Sequence, residues 1–274
     1  MSAASFFVSP QELWSRIGTG KAPLILDVRR RAIYDEAPGL VPTAIWREPE
    51  SYQDWLSGLP TDLHIVLACR YGHNLSQMVA AELRQNGVHA QVLEGGYQGW
   101  SEAGLPLVSK AALQRFTPKR PSLWVTRRLP KIDRVACPWL IRRFIDADAR
   151  ILYVEPTEVT NVAKDNGAIP FDIEGVEISH EGPRCSFDTM LKLFGLEGNA
   201  YLDRLALIVR GADTARHDLV PEAAGLHAIS LGLSALAGDD DHGMIERGFM
   251  VYDALFAWLR HAAEERHNWP AKAA

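Results

Sequence analysis

The stretch His64-Ile65-Val66-Leu67-Ala68-Cys69-Arg70-Tyr71-Gly72-His73-Asn74-Leu75-Ser76 decides the fold. Its first five residues form a short apolar run that reads as a buried strand, and Gln77 to Asn86 reads as a helix. Between them lies a tight loop containing Gly72. A strand that ends on a thiol and turns through such a loop into a helix is built to use the thiol. The loop N–H groups and the positive end of the helix favour a thiolate or a bound oxyanion. A free cysteine by itself reads as a small buried hydrophobe, so the neighbouring segments carry the decision. Upstream, Pro23-Leu24-Ile25-Leu26-Asp27-Val28-Arg29 reads as a buried parallel strand ending in a charged pair. Downstream, Val92-Leu93-Glu94-Gly95-Gly96-Tyr97-Gln98-Gly99-Trp100 reads as a strand, a glycine turn and a short aromatic-bearing helix.

Together these three segments resemble the rhodanese family over residues 7–107. The resemblance implies a small α/β domain with a central parallel sheet and places Cys69 at the persulfide-carrying nucleophile. Arg70, Tyr71, Gly72, His73, Asn74, Leu75 and Ser76 would then form the anion-binding loop, with Asp27 and Arg29 in support. In that chemistry the thiolate takes a sulfane sulfur from a donor and passes it to an acceptor. Arg70 brings positive charge, and Tyr71 and His73 are placed to line the mouth. Two departures stand out. The arginine that the family carries two residues after the loop glycine is Asn74 here, and the serine that follows it is reached only at Ser76, one residue late. A longer loop has room for a bulkier tetrahedral anion, as in the related phosphatase and arsenate reductase loops, whereas losing the arginine weakens its hold on one.

Composition bounds the rest. The 274 residues suffice for two domains of ordinary size. A hydrophobic content of 47% with 23% charged residues is that of a globular protein, and a net charge of −5 gives no global attraction to nucleic acid or anionic membrane. Three cysteines are too few for a disulfide framework and fit a reducing compartment. Met1 to Pro10 lacks the cationic lead and apolar core of a signal peptide, and no run approaches the roughly 18 apolar residues of a membrane span. A cytoplasmic location is the expectation.

The chain divides on this reading into a rhodanese-like domain (1–107), a basic connector (108–122) and a mainly α, α+β second domain (123–274). The connector and the residues after it are rich in cations: Lys110, Arg115, Lys119, Arg120, Arg127, Arg128, Lys131 and Arg134. They read either as a surface for an anion or a DNA backbone or as a solvated linker paired with acids elsewhere. Beyond, Leu123 to Thr126 and Ala149 to Val154 read as strands, Pro138 as the first turn of a helix, and Phe171 to His180 as an extended run. Phe187–Phe194, Tyr201–Gly211, Pro221–Ala237 and Met244–Glu265 read as helices. Asp213 before Thr214 and Pro221-Glu222 read as helix starts.

Asp133 to Ile141, Ser179 to Asp188, Val209 to Ala215 and Pro221 to Leu226 resemble the C-terminal domain of the bacterial chromate resistance protein family, ChrB type, over residues 123–260. The resemblance implies a role in limiting chromate damage, in regulating a chromate efflux operon, or both, with the first domain as an accessory. His180 and Cys185, separated by a turn, are candidate transition-metal ligands, to which Asp133, Cys137, Asp213 or Glu222 would add. The bland alternative packs Cys185 in the core. His242 and Glu246, four apart on a helix, form a second possible pair, and His227 reads as a core histidine. Arg142, Arg143, Arg210 and Arg216 would suit a dianion such as chromate, or ordinary carboxylates. Three functions follow: a Cys69 sulfurtransferase using a small sulfur donor and acceptor, a chromate-like oxyanion sensor or reductase, and a DNA-binding regulator. No cofactor is implied with certainty, and oligomeric state is not readable.

Overall fold

The computed structural model describes residues 5–56, 58–59 and 62–265. The part of the N-terminal reading that rests on Met1 to Ala4, and residues 266–274 of the second domain, lie outside them. In chain order the first half contains β1 (Phe7–Val8), α1 (Pro10–Arg16), β2 (Leu24–Asp27), α2 (Arg31–Glu36), β3 (Gly39–Leu40), β4 (Ile45–Trp46), α3 (Tyr52–Leu56), β5 (His64–Ala68), α4 (Asn74–Gln85), β6 (His89–Leu93) and α5 (Gly96–Glu102). Strands β1, β6, β5, β2 and β4 form, in that order, an all-parallel sheet. Such sheets are covered on both faces, which is why their strands read as continuous apolar runs. Leu26, Ile65, Leu67 and Val92 face Val79, Ala80 and Leu83 of α4. Their neighbours Ile25, Val66, Ala68 and Leu93 face the other way.

What covers that second face includes the second half of the chain. It runs through β7 (Val108–Ser109), α6 (Lys110–Phe116), β8 (Leu123–Arg127), α7 (Ile132–Leu140), a π-helical turn (Ile141–Ile145), β9 (Arg150–Val154), α8 (Val159–Asn166), β10 (Ile169–Pro170), α9 (Ser186–Leu193), α10 (Ala200–Asp213), α11 (Glu222–Ala237) and α12 (Asp241–His261). A parallel sheet of order β10-β8-β9 lies beside the helices. Ile25, Val66 and Trp100 belong to the same buried cluster as Trp124, Trp139, Phe144 and Phe256. Trp14 of α1 meets Phe144 at 6.2 Å and Phe256 at 6.0 Å, both edge-on, the favoured aromatic geometry. Arg260 caps the end of α1 by donating to the carbonyls of Trp14 (2.7 Å) and Ile17 (3.1 Å).

The basic connector is folded. Val108–Ser109 pairs antiparallel with Gly39–Leu40. Lys110 is buried and donates to the Tyr34 and Asp35 carbonyls, and Arg120 donates to those of Thr43, Ala44 and Ile145. Arg115 pairs with Glu177, Arg128 with Glu155 and Asp239, and Arg127 and Arg134 with Asp172. These cations are therefore engaged within the fold. Other expectations change too. Pro138 lies inside α7, where its missing N–H leaves a gap in the ladder just ahead of the π turn. Asp213 ends α10 and does not start a helix. Phe171 to His180 is mostly turns, with a single Phe171–Ile178 bridge, because Gly175 turns it back in the left-handed region. No helix among the described residues is long and apolar enough to cross a membrane.

Candidate functional site

Strand β5 is the central strand of the five, and Cys69 follows its last residue. Its thiol sits on a cleft of about 620 Å³ at the carboxyl end of the sheet, where parallel α/β folds place ligands. The loop reaches α4 at Asn74, whose first turn has no side-chain cap, so N–H donors remain there. Ser76, fully buried in that turn, places its hydroxyl 3.1 Å from Cys69 Sγ and 3.1 Å from the His73 carbonyl. A hydroxyl has one proton, so Ser76 can donate to the sulfur or to the carbonyl, and a thiolate would draw it to the sulfur.

The Gly95-Gly96 turn cradles this loop from below. Tyr97 and Gln98 N–H groups donate to the Cys69 and Arg70 carbonyls, each at 2.9 Å. Gly72 and Gly96 both lie in the left-handed region, and a Cβ on Gly96 would fall 2.3 Å from the Cys69 carbonyl oxygen. Cations approach the cleft from several elements. Arg29 is 1% exposed, clasped by Asp27 through both carboxylate oxygens, and stacked 3.9 Å from the Tyr97 ring centroid. Arg30 pairs with Glu50, and Arg70 lies over Tyr71. Arg29, Arg30 and Arg70 thus line a cleft whose loop carries the uncharged Asn74.

In the second half, Asp133 near the start of α7, His180 in the turn-rich loop and Asp213 at the end of α10 converge. His180 Nε2 lies 3.2 Å from Asp133 Oδ2, 3.3 Å from Asp213 Oδ2 and 3.5 Å from Asp172 Oδ1. The hydrogen bond with Asp133, opposed by burial and reinforced by the surrounding carboxylates, raises the imidazole to about 9. Burial pushes Asp213 up to about 7, with the charge of Asp133 adding to it, and raises Asp172 in the same way. Burial also works against ionised Asp133, but the hydrogen bond and charge of His180, with Arg134, outweigh it and hold that carboxyl below its usual range.

Comparison with known proteins assigns both halves. Residues 9–103 match the rhodanese-like domain family and residues 124–259 match "ChrB, C-terminal domain". The chain is a rhodanese-like domain fused to a ChrB C-terminal domain. The rhodanese-like part is 31% identical over 103 residues to thiosulfate sulfurtransferase GlpE of Actinobacillus succinogenes, covering 36% of this chain and 87% of that protein. The ChrB-type part is 38% identical over 133 residues to Protein ChrB of Cupriavidus metallidurans, covering 48% of this chain and 39% of that protein, so the match spans well under half of the relative's length. Among solved structures, a rhodanese-related protein from Thermoplasma volcanium aligns at 26% identity over 38% of this chain and 98% of that one, with a TM-score of 0.34.

Within the ChrB-type domain several candidate residues have other employment. Cys185 is buried, with Sγ 3.4 Å from Asp188 Oδ2, and lies outside the group that Asp133, His180 and Asp213 form. Its thiol and that of fully buried Cys137 are pushed far up by burial and nearby carboxylates. Glu222 pairs with Arg204. Arg210 clasps Asp188, Arg143 clasps Asp253, Arg216 clasps Asp218, and Arg142 donates to the Ala149 carbonyl. His227 is half-buried and bonds His217 at 3.0 Å, where the sequence reading placed it in the core. His242 lies edge-on to Tyr153. Asp172 escaped sequence reading because an aspartate in a presumed strand carries no local signal of what it will meet.

Proposed function

We propose that the chain is a sulfur carrier in which Cys69 cycles between thiolate and persulfide. The observation that supports it most directly is the position of the Cys69 thiol: on the floor of a cation-lined cleft, after the central strand, with the Ser76 hydroxyl 3.1 Å away. With thiosulfate as donor, the thiolate attacks the outer sulfur, the S–S bond of thiosulfate breaks, and sulfite leaves with its electron pair. Cys69 is left as a persulfide, whose terminal sulfur an acceptor nucleophile then removes, regenerating the thiolate. Arg29, Arg30 and Arg70 would attract the anionic donor and leaving group, and Ser76 would donate to the anionic sulfur. Labelled thiosulfate should leave sulfur on the native protein and none on Cys69→Ser. Equal labelling of the two would overturn the proposal.

The ChrB-type domain supplies the biological setting we favour, which is chromate resistance. Direct reduction of chromate by a set of protein thiols is disfavoured, since Cys137 and Cys185 are fully buried with thiols held protonated by burial. Cells relying on the Cys69→Ser protein should tolerate less chromate than cells carrying the native one, and equal tolerance would separate sulfur transfer from that setting.

A further inference from the structure

We propose that Asp133, His180 and Asp213, with Asp172 beside them, form a mononuclear site for a divalent first-row transition metal in the ChrB-type domain. Three carboxylate oxygens surround one imidazole nitrogen, which carries at most one proton, at 3.2, 3.3 and 3.5 Å. The 3.2 Å contact with Asp133 is a hydrogen bond, but a single N–H cannot serve three carboxylate oxygens at once. The separations from the imidazole nitrogen also suit edges of a coordination polyhedron, and the ligand atoms of Asp133, His180 and Asp213 all lie within 4.8 Å of one another. With metal–ligand distances of about 2.0–2.2 Å, those edges are about 3.0 Å for octahedral and about 3.4 Å for tetrahedral geometry.

The charge around the group points the same way. Asp172 is already satisfied, its Oδ2 by Arg127 (2.7 Å) and Arg134 (3.2 Å) and its Oδ1 by the Ser186 hydroxyl (2.8 Å). Asp133, 3% exposed, receives a long bond from the Ser186 N–H at 3.3 Å, and the Asp213 carboxylate shares the single His180 nitrogen with it. A cation at the common centre would neutralise both. One imidazole nitrogen with two or three carboxylate oxygens and no thiolate suits Mn²⁺, Fe²⁺ or Zn²⁺ better than a soft ion such as Cu⁺. Two ligands stand at ends of α7 and α10, which pack together, so the pair is held without the metal. A route in exists as well. His180 is 43% exposed and lines, with Arg127, Asp172 and Ser179, an open pocket of about 370 Å³.

The test uses the full chain, stripped with a chelator and titrated with Co²⁺ as a spectroscopic probe. Saturable binding of one equivalent is expected, with visible d–d absorption but no thiolate-to-cobalt charge-transfer band. Asp213→Asn and His180→Gln should each weaken binding by at least about tenfold, while Cys185→Ser leaves it unchanged. Sulfur loading on Cys69 serves as the folding control for each variant. Absence of saturable binding to the native protein, equal affinity in the Asp213→Asn and His180→Gln proteins, or a charge-transfer band that Cys185→Ser removes would each overturn the site.

Discussion

At the scale of single residues, the Cys69 loop turns on one hydroxyl. Ser76 is the buried donor within reach of the sulfur, and it gains most when the sulfur is anionic, so it supports the thiolate from which the attack starts. Ser76→Ala should slow persulfide formation by about tenfold, the equivalent of one hydrogen bond of about 1.5 kcal/mol to a charged group, because the anionic nucleophile loses its support. Stopped-flow measurement of sulfite release would read this, and an unchanged rate would leave Ser76 a structural group. The serine's place was legible because the loop and helix are continuous in sequence. Arg30, Glu50 and Tyr52, which also line the cleft, come from another part of the chain and carried no comparable signal.

At the scale of elements, the loop depends on a turn more than twenty residues away. Gly96 sits at φ +59° with its Cα against the Cys69 carbonyl, and its backbone neighbour Tyr97 donates to that same oxygen. Gly96→Ala would drive a methyl to 2.3 Å from that oxygen and 2.5 Å from the Gly72 nitrogen. Strain of about 1–3 kcal/mol follows from the backbone conformation alone, and the clash with two backbone atoms adds to it. Sulfur loading should be lost nearly as fully as in Cys69→Ser, and mass analysis after thiosulfate treatment would show it. Normal loading would mean that the cradle can shift without cost to the thiol.

For the whole molecule, the decisive feature is that the two halves share a core. Trp14 of the rhodanese-like part is 8% exposed and packs on Trp100, Phe144 and Phe256. Truncating such a side chain costs about 3–5 kcal/mol through lost burial and a cavity. Trp14→Ala should therefore lower the stability of both halves together. Thermal unfolding of the native chain should be a single transition, and the variant should shift all of it. Two separated transitions, with only one moved, would show that the halves fold independently.

Local sequence by itself determined the strand, thiol and glycine-turned loop, and the mainly helical second half, because these are short-range patterns of apolar spacing and turn residues. It also singled out His180 and Asp133, though paired with Cys185. Only the tertiary structure decided that Cys185 turns into the core against Asp188, that Asp172 and Asp213 meet His180, and that Lys110, Arg115 and Arg120 of the basic connector are engaged by carbonyls and a carboxylate. These outcomes depend on groups far apart in the chain. Side-chain direction and charge pairing are settled when elements pack, where burying an unpartnered polar group costs more than any local preference can offset.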